Sequence, residues 1–375
     1  MAPLTVGTAS ARPGKIVTGW FDAVALPTGQ MDRFPVIIAQ GSTPDPVFWI
    51  TTGIHGPEHA GLISLHTLIT EELVGALRGT LVAIPTLSPA GIRTSQRIPY
   101  YLESDPNRLF PMPETSQGGT AKTGDDDEAK PTDLELAYAR LFDVIIGSKP
   151  AALIDLHNAS IGSLPFVFRD PVFYAEKGRT GMTRKQAEAL QARTGGLVEA
   201  IGFTVINEFA LASYVQKNLH RSVSGSVLNK GRIPAVTIEL GSPLTLDPGI
   251  VEAASAGLRN ALRWAGMLGG ALEPIIGIPV IDPGYAVRRT NAITAPLAGV
   301  VHHLARPGEM VQKGQALAQM RDIFGRAIGK DSGLIRSEHD GFVYGWTHGV
   351  VRYQGETIMS MAIRDESELI VPYAE

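Results

Sequence analysis

Short apolar runs alternate with amphipathic stretches along the first two thirds of the chain. A short apolar run bounded by turn-forming residues is typical of a buried strand, and apolar residues at every third or fourth position are typical of a helix. The runs predict strands at residues 36–39, 47–51, 80–85, 152–156, 204–206 and 235–240. The amphipathic stretches predict helices at residues 60–77, 134–146, 183–195 and 248–268. This alternation indicates an α/β domain with a mixed, mainly parallel sheet.

The pattern changes in the last quarter of the chain, where short predicted strands follow one another with glycine turns between them. Two segments of this tail, beginning at Ala295 and Ser337, repeat each other weakly, with Gly299 aligned to Gly341. Two related β halves predict a small β-barrel or β-sandwich. The pattern resembles biotinyl and lipoyl carrier domains, which carry a lysine at a hairpin tip. Only Lys330 lies near that position, out of register, so we expect the carrier fold without the cofactor lysine.

Length and charge limit the remaining possibilities. The 375 residues suffice for two domains, which we place at residues 1–275, including an N-terminal β segment, and at residues 276–375. The net charge of −4 argues against nucleic-acid binding, and the absence of cysteine restricts a metal site to His, Asp and Glu. The most apolar late stretch, residues 253–280, contains charged residues and proline, so it is a poor membrane span. The N-terminus lacks the apolar core of a signal peptide, which makes the cytoplasm the expected location.

One segment does not fit the α/β pattern. Residues 114–133 are polar, glycine-rich and acidic. This composition predicts a mobile surface loop, and a lid over a site is the alternative.

The stretch "TTGIHGPEHAG" follows the predicted strand 47–51 and admits two metal-binding interpretations. In the first, an H-x-x-E-H helix presents His55 and His59 as ligands and Glu58 as a base. In the second, His55 and Glu58 are both ligands on a loop before the helix, and a third ligand comes from elsewhere. Gly56 and Pro57 disfavour a helix that begins at His55, so the sequence favours the second interpretation.

His157 is the candidate third ligand because it ends the apolar strand in "ALIDLHNAS". In α/β proteins, sites lie at the carboxyl ends of such strands. Asp155 lies two residues earlier on the same face of the strand, where its carboxylate can orient the imidazole of a ligand histidine. Two histidines and a glutamate with an open fourth position are typical of a catalytic zinc.

A catalytic zinc needs a base for its water and polar groups for the substrate. Glu239 ends the apolar strand in "IPAVTIELG", where it can serve as that base, although a structural salt bridge would also explain it. Arg108 follows a turn-forming Asp-Pro-Asn and can bind a carboxylate in bidentate fashion. Arg93 or Arg97 can stabilise the oxyanion of a tetrahedral intermediate.

Four motifs, in this order along the chain, resemble those of the succinylglutamate desuccinylase/aspartoacylase family of the zinc carboxypeptidase superfamily. They are H-x-x-E at residues 55–58, N-R at 107–108, D-L-H at 155–157 and I-E-L-G at 238–241. The resemblance implies a zinc-carboxypeptidase-like α/β/α domain followed by a small all-β domain. The sequence departs from the family at Pro57, where the family often has Asp, and in a longer spacing between Arg97 and Arg108.

The resemblance also implies a role for each candidate residue. One Zn²⁺ per chain would be held by His55, Glu58 and His157. Glu239 would activate a water molecule and then protonate the leaving amine. Arg97, preferred to Arg93, would polarise the scissile carbonyl, and Arg108 with Asn107 would bind a substrate carboxylate. The segment "NLHRSVSG" resembles a subgroup similar to N-acetyl-diaminobutyrate deacetylases, and this likeness makes Arg221 a further substrate contact.

These roles predict a zinc-dependent deacylase that cleaves an amide bond in a small anionic N-acyl amino acid or related compound. A metallocarboxypeptidase acting on short peptides would use the same catalytic residues and is the alternative. A non-catalytic binding module with a degenerate metal site is a third hypothesis, disfavoured by the complete ligand set. We expect neither nucleic acid nor membrane as partners, and the family tendency to associate suggests a homo-oligomer.

Overall fold

The computed structural model describes residues 3–112, 130–176, 181–290 and 293–373. All but the last four residues of the acidic segment 114–133 lie outside the described residues.

The described residues form eight α-helices and twenty strands, many of the strands short. The helices are α1 (Ala60–Leu68), α2 (Glu71–Ala76), α3 (Pro89–Thr94), α4 (Asp133–Gly147), α5 (Arg184–Ile201), α6 (Leu211–Gln216), α7 (Val223–Asn229) and α8 (Pro248–Trp264). The strands before residue 270 are β1 (Thr5–Val6), β2 (Ala9–Ser10), β3 (Lys15–Ala25), β4 (Met31–Gln40), β5 (Val47–Thr52), β6 (Thr80–Ile84), β7 (Ala152–His157), β8 (Phe166–Arg169), β9 (Val172–Tyr174), β10 (Thr204–Asn207) and β11 (Ala235–Glu239). Those of the tail are β12 (Val287–Thr290), β13 (Gly299–His303), β14 (Met310–Val311), β15 (Ala316–Arg321), β16 (Leu334–Arg336), β17 (Gly341–Trp346), β18 (Val351–Arg352), β19 (Met359–Arg364) and β20 (Ile370–Pro372).

Twelve of these strands form one large mixed sheet in the order β14-β17-β19-β12-β10-β8-β11-β7-β5-β6-β4-β3. Its centre is parallel, because β6, β5, β7 and β11 all run in the same direction. The hairpin β3-β4 adds an antiparallel edge, and β8 pairs antiparallel with β11. The predicted α/β class with a mixed sheet is confirmed.

Strand β5 shows why the sheet is covered on both faces. All six of its residues are buried, and successive side chains point to opposite faces. Trp49 packs into the apolar cluster that contains residues of α4 and α7, and Ile50 packs into the cluster that contains residues of α1 and α8. The central sheet therefore lies between two helical layers.

The predicted helix 60–77 is two helices rather than one. Ile69 has an extended conformation at the end of α1, and Thr70 then begins a new helix. The side chain of Thr70 accepts a hydrogen bond from the backbone N–H of Leu73, which is the N-cap interaction that starts α2. Apolar periodicity continued across this break and did not reveal it.

The tail forms antiparallel sheets, but four of its strands also extend the large sheet. Strand β12 pairs in parallel with β10, and β19, β17 and β14 follow outward from it. A separate antiparallel sheet has the order β16-β15-β13-β18. The last strand, β20, returns to pair with β9. The division at residue 275 stays a prediction. In the described part of the chain, no helix is both long and apolar enough to cross a bilayer.

Candidate metal centre and pocket

The candidate site lies where three neighbouring parallel strands end. Strand β7 lies between β5 and β11 in the sheet. His157 is the last residue of β7 and is directly paired with Glu239, the last residue of β11. His55 follows three residues after the end of β5. The parallel register therefore brings three chemically active side chains from distant parts of the sequence to one edge.

The loop after β5 is shaped by two glycines. Gly53 has a positive φ of 63°, a conformation that glycine adopts without steric cost. Gly56 lies against α3 so closely that an added Cβ would be 2.0 Å from the carbonyl oxygen of Gly91. The backbone N–H of Gly56 donates a hydrogen bond to the oxygen of Gln96. The loop therefore has little freedom to move.

The first helix begins at Ala60, so His55 lies outside it. His59 is the residue before the helix and does not belong to the cluster that can hold a metal. The structure thus has the loop arrangement and not the H-x-x-E-H helix.

His55, Glu58 and His157 form a buried cluster. Each offers a ligand atom, and these atoms all lie within 4.8 Å of one another. The two oxygens of Glu58 lie 2.8 Å from Nδ1 of His55 and 2.8 Å from Nδ1 of His157. Convergent, buried imidazole and carboxylate groups fit a zinc ion, so these three residues can hold one.

Each imidazole is also fixed from its outer side by a carboxylate. Oδ2 of Asp155 lies 2.7 Å from Nε2 of His157, as its spacing along the strand predicts, and Oδ1 of Asp105 lies 2.9 Å from Nε2 of His55. A carboxylate on Nε2 directs Nδ1 inward as the ligand nitrogen. Asp105 was not predicted as part of the site, although its place two residues before Asn107 was a usable signal.

The charges of the cluster shift its pKa values. Burial alone would raise the pKa of Glu58, but the two imidazoles outweigh it and hold that pKa far below its ordinary value. Burial likewise would lower the pKa of His157, but Asp155 and Glu58 outweigh it and raise that pKa well above its ordinary value. These two shifts favour an ionised carboxylate on Glu58 and a protonated imidazole on His157.

Glu239 differs from the other acids that line the pocket in having no polar partner among the described residues. Its Oε2 is buried and has no hydrogen-bond partner among the described residues, and no ion pair involving Glu239 is found within them. Burial is the main reason that the pKa of Glu239 is raised, to about 7. A carboxylate with a pKa near neutrality can both accept and return a proton.

The Asp-Pro-Asn-Arg segment supplies two further groups. Residues Pro106–Arg108 form a short 3-10 turn that Asp105 caps, and the ring of Phe110 stacks on Tyr138 of α4 at 4.6 Å. Asn107 Oδ1 accepts a hydrogen bond from the backbone of Val223. The segment is thus anchored to α4 and α7, and both Asn107 and Arg108 line the pocket.

The three other candidate arginines lie in different surroundings. Arg97 lines the pocket and donates to Asp105 at 2.8 Å and to Glu58 at 3.3 Å. Arg93 pairs instead with Asp32. Arg221 donates to Glu135 and to the oxygen of Phe110, and it is not among the pocket-lining residues. This geometry favours Arg97 over Arg93 and does not favour a substrate contact for Arg221.

A pocket of ≈ 220 Å³ joins these groups. Ten of its polar lining residues were not predicted from the sequence, and three of these belong to the tail. The ten residues are Asn158, Ser160, Asp170, Glu208, Ser222, Ser224, Thr237, Arg289, Tyr344 and Ser360. Asn158 directly follows a ligand and so carried a local signal, whereas the tail residues reach the pocket only through the pairing of β12, β17 and β19 with the large sheet.

Fold and site together define an α/β protein with a candidate His-Glu-His metal centre beside an unpaired carboxylate. A family model described as the succinylglutamate desuccinylase/aspartoacylase catalytic domain matches residues 44–265, more than half of the chain. The chain belongs to this family, which is one of hydrolytic deacylases, and the resemblance inferred from the four motifs is confirmed.

Solved structures share the fold at low sequence identity. A succinylglutamate desuccinylase/aspartoacylase from Rhodobacter sphaeroides has a TM-score of 0.68 and 19% identity, covering 93% of this chain and 96% of its own. An aspartoacylase family protein from Mesorhizobium loti has a TM-score of 0.68 and 16% identity, covering 98% and 100%. The ectoine utilization protein EutE (DoeB) from Ruegeria pomeroyi has a TM-score of 0.69 and 17% identity, covering 97% and 99%. No curated protein matches this chain.

We predict that Gly56→Ala destabilises the protein by about 1–3 kcal/mol and lowers the zinc affinity of the candidate metal centre at least about tenfold, because the new Cβ forces the loop away from Gly91. Urea unfolding and competition with a chromophoric chelator measure the two effects. Gly75→Ala is the matched control, since its Cβ would have no neighbour within 4 Å and Gly75 lies within α2. Parental zinc affinity in Gly56→Ala would show that the loop does not fix the ligands.

Proposed function

We propose that this chain is a zinc-dependent hydrolase that removes the acyl group from a small N-acyl amino acid or related carboxylate-bearing compound. The observation that carries the proposal is the position of Glu239. Its unpaired carboxylate lines the same pocket as the three candidate metal ligands and the guanidinium groups of Arg97 and Arg108. A proton acceptor, a metal cluster and anion-binding groups in one pocket are the components that amide hydrolysis requires.

His55, Glu58 and His157 would hold the zinc, with Asp105 and Asp155 fixing the two imidazoles. Zinc, when bound, supplies a Lewis acid that polarises a carbonyl group and lowers the pKa of water.

Side chains of the pocket then transfer the proton, stabilise the developing negative charge and hold the substrate. Glu239 takes a proton from the attacking water and delivers it to the amide nitrogen as the C–N bond breaks, which its pKa of about 7 allows. Arg97 donates hydrogen bonds to the carbonyl oxygen as negative charge develops there. Arg108 binds the substrate carboxylate, and the side-chain amide of Asn107 donates a further hydrogen bond to the same carboxylate.

The size of the pocket supports a small substrate. Its volume of ≈ 220 Å³ is below the roughly 300–1,000 Å³ that is usual for ligand pockets. Tyr344 and Ser360 of the tail form part of its wall, which narrows the space open to a peptide. A carboxypeptidase would use the same chemistry, so the substrate assay below decides between the two.

Zinc content tests the metal assignment. We expect the purified protein to retain about one zinc ion per chain after dialysis, measured by mass spectrometry, and His157→Ala to retain less than about a tenth of it. His59→Ala is the control and should keep its zinc, because His59 lies outside the cluster. Loss of zinc from His59→Ala with retention in His157→Ala would contradict the assignment.

Glu239→Gln tests the catalytic assignment. We expect kcat for N-acyl amino acids to fall about 10²–10⁴-fold with unchanged zinc content, because the glutamine side chain cannot take the proton from water. Steady-state kinetics on N-acyl amino acids and on short peptides provide the measurement. A variant that turns over substrate as fast as the parent would show that Glu239 is not the catalytic base. A parent protein that hydrolyses only peptides would be a carboxypeptidase and not a deacylase.

A further inference from the structure

We propose that Arg289, which the tail contributes to the pocket, is a specificity-determining residue that binds a second carboxylate of the substrate, distinct from the one held by Arg108. The proposal rests on the proposed deacylase function and adds to it a residue that sequence analysis did not find.

Arg289 reaches the pocket through strand pairing. Strand β12 pairs in parallel with β10 through Asn207 and Arg288, and antiparallel with β19, where Arg289 is paired with Ala362. Tyr344 and Ser360, from the tail strands β17 and β19, line the same pocket. The tail therefore forms one wall of the candidate active site, and Arg289 is the cationic group of that wall.

Neighbouring side chains fix the orientation of the Arg289 guanidinium. Its Cζ lies 4.5 Å from the ring centroid of Phe168 and 4.4 Å from that of Phe209. Glu208 accepts a hydrogen bond from Nη1 at 2.8 Å. Two aromatic rings and one carboxylate hold the planar group, so ligand binding would require little further ordering of this side chain.

The opposite, Nε–Nη2 edge of the guanidinium is unpaired among the described residues. Nε is buried and has no hydrogen-bond partner among the described residues, and no hydrogen bond from Nη2 is found within them. About a fifth of the side chain, 21%, remains accessible. The Nε–Nη2 edge of arginine is suited to bidentate binding of a carboxylate. A buried donor without a partner is costly, and a substrate carboxylate at this edge would remove much of that cost.

Among the described residues, no acid that lines the pocket is hydrogen-bonded to this edge. Glu208 uses Nη1, and Asp170 accepts instead from the hydroxyl of Ser224. Arg108 lies in the same pocket but directs Nη1 to the carbonyl oxygen of Asn107. Besides Arg97, which is assigned to the scissile carbonyl, the pocket thus presents two guanidinium groups in separate environments. This arrangement suits a substrate with two carboxylates.

Matched substrate pairs test the proposal on the zinc-loaded protein. N-succinylalanine and its terminal carboxamide differ only in charge on the acyl group, and N-acetylglutamate and N-acetylglutamine differ only in charge on the amine side. The readout is the ratio of kcat/KM within each pair, which does not depend on the fraction of protein that is folded. We expect the parent to prefer the carboxylate, and Arg289→Lys and Arg289→Gln to lower that ratio about tenfold or more in one pair.

The controls separate this role from general effects. Arg108→Lys should reduce turnover of both members of a pair alike, because both retain the α-carboxylate. Arg326→Gln alters an exposed arginine of the tail and should change nothing. The pair that responds to Arg289→Lys shows whether the second carboxylate belongs to the acyl or to the amine half.

Two results overturn the proposal. One is a parent protein that does not prefer the carboxylate over the carboxamide in either pair. The other is a ratio of kcat/KM that is unchanged in both Arg289 variants, which would leave Arg289 as a structural partner of Glu208. If the parent hydrolyses none of the four compounds, the proposed function fails separately, and calorimetric binding decides the role of Arg289. Tighter binding of a carboxylate than of its carboxamide by the parent, but not by Arg289→Lys, supports the role, and equal binding by the parent rejects it.

Discussion

The carboxylate of Glu58 lies between two buried imidazoles, and the rest of the site depends on that arrangement. One of its oxygens lies 2.8 Å from Nδ1 of His55, on the loop after β5. The other lies 2.8 Å from Nδ1 of His157, at the end of β7. Because unpaired charge is costly to bury, Glu58, His55 and His157 are stable in the interior only as a set. A divalent cation requires the same convergence of one carboxylate and two imidazoles, with both imidazoles neutral.

Backbone pairing maintains this arrangement. Thr51 of β5 is paired with Asp155 of β7, and its hydroxyl also donates to that carboxylate at 2.7 Å. Asn158 ties the neighbouring elements together, since it donates to the oxygen of Leu240 and accepts from the backbone N–H of Ala60. A shift of one residue in the register of β7 would turn His157 to the opposite face of the sheet. The metal centre is therefore a consequence of strand register as well as of residue type.

The sequence predicted most of the α/β layer and the metal cluster because their signals are local. An apolar strand that ends in His157, and a glycine-proline loop after another strand, can be recognised from short windows. The break between α1 and α2 was missed because Thr70 caps the second helix without interrupting the apolar periodicity. Arg289 and Tyr344 were missed because their places follow from pairing between strands far apart in the sequence, which no short window contains.

The tail thus contributes Arg289, Tyr344 and Ser360 to the wall of the candidate pocket. The account as a whole depends on one ion bound by three named atoms. Anomalous diffraction at the zinc edge, from crystals grown with zinc, tests this most directly. We predict one peak per chain at about 2.0–2.2 Å from Nδ1 of His55, a carboxylate oxygen of Glu58 and Nδ1 of His157. A peak ligated by His59, or no peak within bonding distance of these three residues, would contradict the account.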